Sequence, residues 1–80
     1  MISVDELLGI LRDRVPAVHV EVKDLTGTSD HFEALVVADA FEGKSLIERH
    51  RLVYAAIGDH MKREIHALTL KTQTPAEWKT

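Results

Sequence analysis

The segment FEGKSLIERHRLVY, residues 41–54, contains the start of the helix around which the rest of this 80-residue chain is arranged. Ser45 stands three residues before Glu48, the spacing of a capping box, in which each side chain accepts a hydrogen bond from the other's free backbone amide. After the cap, residues suited to a buried helix face recur every three or four positions. They are Leu46, His50, Val53, Ile57 and Met61. The pattern predicts a helix running to about Lys62 with one buried face.

A strand is predicted on each side of this helix. Before it, His31 to Ala38 is almost continuously apolar, as expected for a central strand, and after it Ile65 to Lys71 has similar character. One long helical crossover normally joins two parallel strands with a right-handed sense. We therefore expect these strands to run in the same direction as neighbours and to begin at the same end of the sheet.

The N-terminal part of the chain predicts a second helix. Ser3 stands three residues before Glu6, which repeats the capping-box spacing, and apolar residues continue at helical intervals as far as Val15. Pro16 cannot continue the hydrogen bonding of a helix. We therefore predict a helix from Val4 to Val15.

A strand and a loop connect this helix to the central unit. From Ala17 the pattern alternates with a period of two, so one face of the strand should be buried. The buried face is predicted to carry Val18, Val20 and Val22, and the outer face His19, Glu21 and Lys23. The segment from Asp24 to Asp30 is rich in turn-forming residues and too long for a two-residue hairpin. We interpret it as a mobile loop between antiparallel strands.

Together these elements predict a single α+β domain over residues 1–80. Its order is helix, strand, strand, helix, strand, with a three-stranded mixed sheet and both helices on one face. A chain of this length has room for one core, and the isolated chain is expected to be a monomer. The residues from Thr72 to Thr80 form a predicted tail, in which Pro75 removes a ladder donor and Trp78 folds back on the sheet or contacts a partner.

The composition excludes several classes of function. The absence of cysteine excludes disulfides, cysteine catalysis and all-thiolate metal sites. Ten Lys and Arg against thirteen Asp and Glu give a formal charge of −3, whereas nonspecific nucleic-acid binders are usually basic. The apolar runs, such as Ala34 to Ala38, are far shorter than the roughly 20 residues that span a bilayer. The N-terminus has acids where a secretion signal has basic residues, so a cytoplasmic protein is expected.

The sequence also lacks the local signatures of common catalytic sites. Its glycines are isolated, so it has no phosphate-binding loop of the Walker or dinucleotide type. No Ser, His and Asp arrangement has a recognisable signature, and the acids are spread along helices and loops. We therefore predict that the protein is not an enzyme.

Two histidines are candidate metal ligands. His31 begins the second predicted strand, and His66 lies at the start of the third. Neighbouring strands are about 4.8 Å apart, so two imidazoles at the same end of the sheet can reach one metal ion. Imidazole suits zinc, copper, iron or nickel, but two ligands leave a site incomplete, and a second molecule or a small thiol must supply the others. Alternatively, His31 is solvated at the end of the loop and His66 packs at a sheet edge.

The other three histidines are interpreted as structural or surface residues. His50 lies in the apolar seam of the main helix, where an imidazole bonded to a backbone carbonyl is expected. His19 and His60 are expected on the surface.

Basic residues of the main helix suggest a different function. Lys44, Arg49 and Arg51 can form a face for nucleic acid, to which Lys62 and Arg63 would add. Few aromatic residues accompany them for base stacking, and Glu42 and Glu48 are interleaved with them. The alternative is therefore a solvated helix face with intrahelical ion pairs.

The sequence resembles the BolA-like protein family in four segments. They are TSDHF at 28–32, VVADAFEGKSLIERHRLVY at 36–54, IHAL at 65–68 and TPAEW at 74–78. The combination is specific and covers nearly all of the chain from Glu21 onward, whereas the first helix matches only in character.

This resemblance implies a fold, a partner and a cofactor. The implied fold is similar to class II KH domains, in the order α-β-β-α(-α)-β, with a short extra turn or helix before the main helix. BolA-like proteins pair with monothiol glutaredoxins, and the heterodimer can hold a [2Fe-2S] cluster. The resemblance implies that His66 and His31 ligate the cluster, with the glutaredoxin cysteine and the thiol of glutathione completing the site. No cofactor is expected in the isolated chain.

Two departures from related patterns bear on function. The loop has Thr28, Ser29 and Asp30 where part of the family has a cysteine, which leaves His31 as the loop ligand. KH domains that bind nucleic acid carry a GxxG loop, whereas the turn here has the single glycine Gly43. The first hypothesis is therefore a non-enzymatic adaptor in iron-sulfur trafficking or iron sensing, and the second is a KH-like DNA-binding transcription regulator that uses Lys44, Arg49 and Arg51.

Overall fold

The computed structural model describes residues 2–27, 31–63, 65 and 67–79, with the backbone alone at 62 and 63. Its elements follow one another as α1 (Val4–Arg14), β1 (Ala17–Asp24), β2 (His31–Ala38), a 3-10 turn (Asp39–Phe41), α2 (Leu46–Ile57), α3 (His60–Arg63), β3 (Ala67–Gln73) and α4 (Pro75–Lys79). The α+β class is as predicted. The 3-10 turn also confirms the short extra element expected before the main helix.

The sheet has the predicted topology. Its strand order is β1-β2-β3, with β1 antiparallel and β3 parallel to the central β2. His31, the first residue of β2, is paired with Ala67, the first residue of β3. The two parallel strands therefore begin at the same end of the sheet, as a helical crossover requires.

The main core lies between one face of the sheet and the two long helices. Every second residue of β2 points into it, and all are fully buried. This cluster unites Leu7 and Leu11 of α1, Val53 and Ile57 of α2, Val20 of β1, and Phe32, Ala34, Val36 and Ala38 of β2. Burial of these side chains is the principal source of stability, at roughly 1.5–3 kcal/mol for each large one.

Both predicted capping boxes are present. In α1, the Glu6 amide donates to Ser3 Oγ over 3.1 Å, and the Ser3 amide donates to Glu6 Oε1 over 3.2 Å. In α2, the corresponding distances between Ser45 and Glu48 are 3.2 and 3.0 Å. Each box satisfies two amides that the first turn of a helix leaves unpaired.

The main helix ends earlier than its apolar period predicts. It stops at Ile57 rather than near Lys62, because Gly58 has a φ of 64° and a ψ of −137°, a conformation that few residues other than glycine adopt. The chain then forms the separate helix α3, and Met61 packs against the core from there. The apolar spacing of three and four residues therefore continues in the sequence as far as Met61, although the helix itself ends before Gly58.

Two apolar residues predicted to be buried are exposed. Val18 is 57% exposed, because the pairing of β1 with β2 shifts register between Ala17 and His19 and a regular alternation does not extend through such a bulge. Leu46 is 63% exposed, since it is the first residue of α2 and lies outside the core cluster. Strand β3 is also displaced from its predicted range, and Ile65 joins the core without being part of the strand.

Two glycines provide a prediction of opposite effects. Gly58→Ala should lower the free energy of unfolding by about 1–3 kcal/mol, because alanine is strained at this φ and ψ. Gly9→Ala should raise it by up to about 1 kcal/mol, because Gly9 lies inside α1 and an added Cβ meets nothing within 4 Å. Urea unfolding followed by far-UV circular dichroism measures both. Effects of the same sign would contradict this account of the α2 terminus.

Candidate functional site

One end of the sheet carries the candidate metal ligand that the structure describes. His31 is partly exposed at the start of β2, opposite Ala67 of β3. Ala67 directly follows His66 in the sequence, but His66 itself lies outside the described residues. The predicted meeting of the two strand starts is confirmed for His31 and Ala67. The pairing of the two imidazoles remains a prediction.

The backbone of His31 is hydrogen-bonded to Leu25, the residue that follows β1. The Leu25 amide donates to the His31 carbonyl over 2.8 Å. The Asp24 carboxylate accepts from the amides of Thr26 and Gly27 over 3.2 and 3.0 Å, so an Asx-type turn begins the loop. Residues 28–30, the remainder of the loop that was interpreted as mobile, lie outside the described part of the chain.

The His31 ring is the candidate donor group at this end of the sheet. Within the described residues the His31 ring makes no hydrogen bond or ion pair, so its two nitrogens remain available to a ligand. The same residues contain no group of three or more His, Asp or Glu side chains that could hold a metal ion. The shared metal site of His31 and His66 therefore stays a prediction.

The other histidines have different surroundings. His19 Nε2 lies 2.7 Å from Glu21 Oε2, and its ring stacks on Trp78 with centroids 4.5 Å apart. His50 Nε2 is buried without a hydrogen-bond partner among the described residues, so the expected carbonyl acceptor is absent there. The His50 ring instead lies edge-on to Tyr54, at 6.4 Å.

The three basic residues proposed for nucleic acid are not displayed together. The Arg49 side chain is only 14% exposed and its Nη1 lies 2.8 Å from Glu77 Oε1. Its Nε donates to the Lys44 carbonyl over 3.1 Å, and the guanidinium lies 5.9 Å from the centroid of the Phe41 ring. Arg49 therefore holds the start of α2 against α4, whereas Arg51 is exposed.

The C-terminal segment contains a third capping box that sequence reasoning missed. The Glu77 amide donates to Thr74 Oγ1 over 3.2 Å, and the Thr74 amide donates to Glu77 Oε1 over 2.7 Å. Pro75 occupies the first helical position, where its missing amide costs little. The Thr-Pro-x-Glu pattern was the available signal, but the sequence predicts a tail from Thr72 to Thr80, in which Pro75 only removes a ladder donor. The prediction that Trp78 folds back is confirmed by its contact with His19.

Two of the capping carboxylates predict how stability depends on pH. Hydrogen bonds from Ser45 lower the pKa of Glu48, and a backbone hydrogen bond from Thr74 together with Arg49 lowers the pKa of Glu77, both from an ordinary value of 4.5. A lowered pKa in the folded state stabilises the protein above pH 4.5 and loses that effect as pH falls further. Urea midpoints measured from pH 7 to pH 3 should therefore decline below about pH 4.5.

Replacement of the two carboxylates tests this source of the decline. Glu48→Gln and Glu77→Gln should each make it shallower, because the glutamine cannot be protonated in this range. Glu42→Gln, at an exposed position between the 3-10 turn and α2, serves as the control. If the decline is as steep in both capping variants as in the parent chain, the stabilisation of these carboxylates is not its cause.

Comparison with known proteins identifies relatives along almost the whole chain. The profile described as BolA-like protein matches residues 11–77. Protein BOLA2 of Arabidopsis thaliana is 44% identical over 81 residues, which cover 99% of this chain and 86% of the relative. BolA-like protein 2 of Homo sapiens is 43% identical over 79 residues, or 96% of this chain and 91% of the relative.

Solved structures agree with the sequence comparison. A bol-like protein from Babesia bovis superposes with a TM-score of 0.87 at 39% identity, covering 99% of this chain and 92% of its own. Yeast Fra2 superposes with a TM-score of 0.82 at 33% identity, covering 99% of this chain and 86% of its own. None of the helices within the described residues is long and apolar enough to cross a membrane.

Proposed function

Since the chain belongs to the BolA-like protein family, we propose that it is an adaptor that pairs with a monothiol glutaredoxin and helps to ligate a shared [2Fe-2S] cluster. This family is not a family of enzymes, and we assign no catalytic residue. In the proposed heterodimer, His66 and His31 contribute imidazole nitrogens. The glutaredoxin cysteine and glutathione contribute the sulfur ligands.

One structural observation carries this proposal. His31 stands at the start of β2, directly opposite the residue that follows His66 in the sequence. Parallel pairing fixes that arrangement independently of the loop between β1 and β2. The chain therefore has an available imidazole at the sheet end where the family resemblance requires a ligand.

The residues of this chain limit what the site can do. Without cysteine, the protein cannot hold such a cluster by thiolates of its own, so cluster binding depends on the partner. Histidine in place of thiolate on an iron raises the reduction potential of a [2Fe-2S] centre. Because a ligating imidazole must be unprotonated, ligation of the cluster by His31 and His66 would also weaken in acid. These properties suit transfer or sensing of iron and sulfur.

The alternative of a DNA-binding regulator has less support from the structure. It was based on three cations, and Arg49 is engaged with Glu77, Lys44 and Phe41. If DNA does bind, affinity should fall with salt by about 0.9 log units per log unit of salt for each phosphate contact. Binding that responds to Lys44→Ala and Arg51→Ala in this way would favour the regulator.

Titration of the chain with a cluster-loaded monothiol glutaredoxin tests the proposed function. We expect visible absorption and circular dichroism to change until one chain is bound per glutaredoxin, because imidazole replaces other ligands on the iron. Gel filtration should then show a heterodimer that retains the visible absorption. The same titration with a glutaredoxin whose active-site cysteine is replaced by serine is the control. Unchanged spectra with the loaded partner would refute the shared site.

A further inference from the structure

The C-terminal helix α4 contacts the face of the sheet opposite the main core. Val20 points into the core, so its neighbour His19 lies on the outer face, and Trp78 stacks on the His19 ring there. His19 is paired with Val37 of β2, and α4 packs against β2 and β3. This contact is at the carboxyl end of β2, far from His31 at its other end.

Helix α4 is held without buried side chains of its own. None of its five residues is buried, and Trp78 remains 43% exposed. Besides its capping box, its contacts to the rest of the fold include the Arg49–Glu77 ion pair at 2.8 Å and the stacking of Trp78 on His19, both at the surface. Helix α1, in contrast, is anchored by the fully buried Leu7 and Leu11. Elements with few buried apolar contacts open at a low free energy.

Opening of α4 would uncover two features at once. Val37 is 0% exposed, although it faces away from the main core and is not part of the core cluster. The Arg49 guanidinium would lose the Glu77 carboxylate, while the Lys44 carbonyl and the Phe41 ring still orient it. An apolar side chain and an oriented cation would thus become accessible together.

We propose that α4 is a displaceable strap, which opens while the rest of the domain stays folded and exposes Val37 together with the guanidinium of Arg49. The ion pair between the Glu77 carboxylate and Arg49 holds the strap closed. In the closed state, the Glu77 carboxylate and the Trp78 indole cover the surface that carries Val37 and the Arg49 guanidinium. The strap therefore blocks this surface within the chain itself.

Native-state hydrogen exchange measures whether the strap opens independently. The Trp78 amide donates to the Thr74 carbonyl over 3.0 Å, so its exchange reports opening of α4, and the amides of residues 34–36 in β2 report unfolding of the core. After correction for intrinsic rates, we expect the Trp78 amide to exchange at least about 100-fold faster than the β2 amides, as for local rather than global opening. Equal corrected rates would overturn the proposal.

Breaking the Glu77–Arg49 ion pair should change amide exchange in α4 alone. Glu77→Gln is expected to accelerate Trp78 exchange roughly two- to fivefold, the effect of losing one exposed ion pair, with no change in β2. Glu33→Gln is the matched control, because it breaks the 3.1 Å ion pair with Lys71 elsewhere on the outer face. If the exchange rates of the Trp78 amide and of the β2 amides change by the same factor, α4 and the core unfold as one unit.

A cysteine probe measures whether Val37 becomes accessible. The chain has no cysteine, so Val37→Cys introduces a single thiol of similar size that a disulfide reagent labels only when it is uncovered. We expect labelling to accelerate by the same two- to fivefold when Glu77→Gln is added. Val36→Cys, which points into the main core, should be labelled only by global unfolding. Equal labelling at both positions, or no response to Glu77→Gln, contradicts the strap.

Discussion

Phe32→Ala is expected to lower the free energy of unfolding by about 3–5 kcal/mol. Phe32 is completely buried on the central strand and is among the largest side chains of the core. Its removal takes away apolar burial and leaves a cavity, because the flanking strands and helices restrain collapse of the site. A domain of this length has a total stability of roughly 4–12 kcal/mol, so the variant loses a large share of it.

Urea unfolding monitored by far-UV circular dichroism measures this loss without relying on Trp78. The midpoint should fall while the slope with urea stays constant, since the amount of surface exposed on unfolding changes little. Leu25→Ala is the matched control, because Leu25 is a large apolar residue that is 49% exposed, and its replacement should change stability by no more than about 0.5 kcal/mol. Similar losses in both variants would refute the assignment of the core.

The parts of the fold that follow from short-range rules could be predicted from the sequence. The Ser45 and Glu48 side chains bond to amides within three residues of themselves, so their spacing contains all the necessary information. The parallel pairing of β2 and β3 follows from one long crossover, which depends on chain connectivity. These rules placed His31 at the correct end of the sheet.

The errors arose where distant contacts or one backbone conformation overrode a local pattern. Val18 fits the alternation of its strand, but the shift in pairing with β2 exposes it, and pairing is not encoded in that strand alone. The local sequence predicts Arg49 as a surface cation of the helix, because its partner Glu77 lies 28 residues later in the chain. The candidate site was partly predictable for the same reason, since strand starts follow from connectivity and ring contacts do not.

Replacing both His31 and His66 with alanine should abolish the contribution of this chain to the shared cluster. Loss even of a residue that only orients a metal ligand typically weakens binding about 10–100-fold, so loss of two ligands should prevent the spectral change upon titration with the loaded glutaredoxin. The single variants should each give a weakened response. Visible circular dichroism and the stoichiometry from gel filtration are the measurements.

Two further variants distinguish ligation from structural damage. His19→Ala removes an imidazole from the other end of the sheet, where His19 pairs with Val37, and should leave the cluster spectra unchanged. His31→Cys supplies a thiolate at the same backbone position, so it should restore cluster binding with a lower reduction potential than the parent complex. A double alanine variant that retains normal far-UV circular dichroism and the full spectral change would show that the cluster is held without these imidazoles. In that case the end of the sheet at His31 is only a protein surface, and the partner binds this chain through other residues.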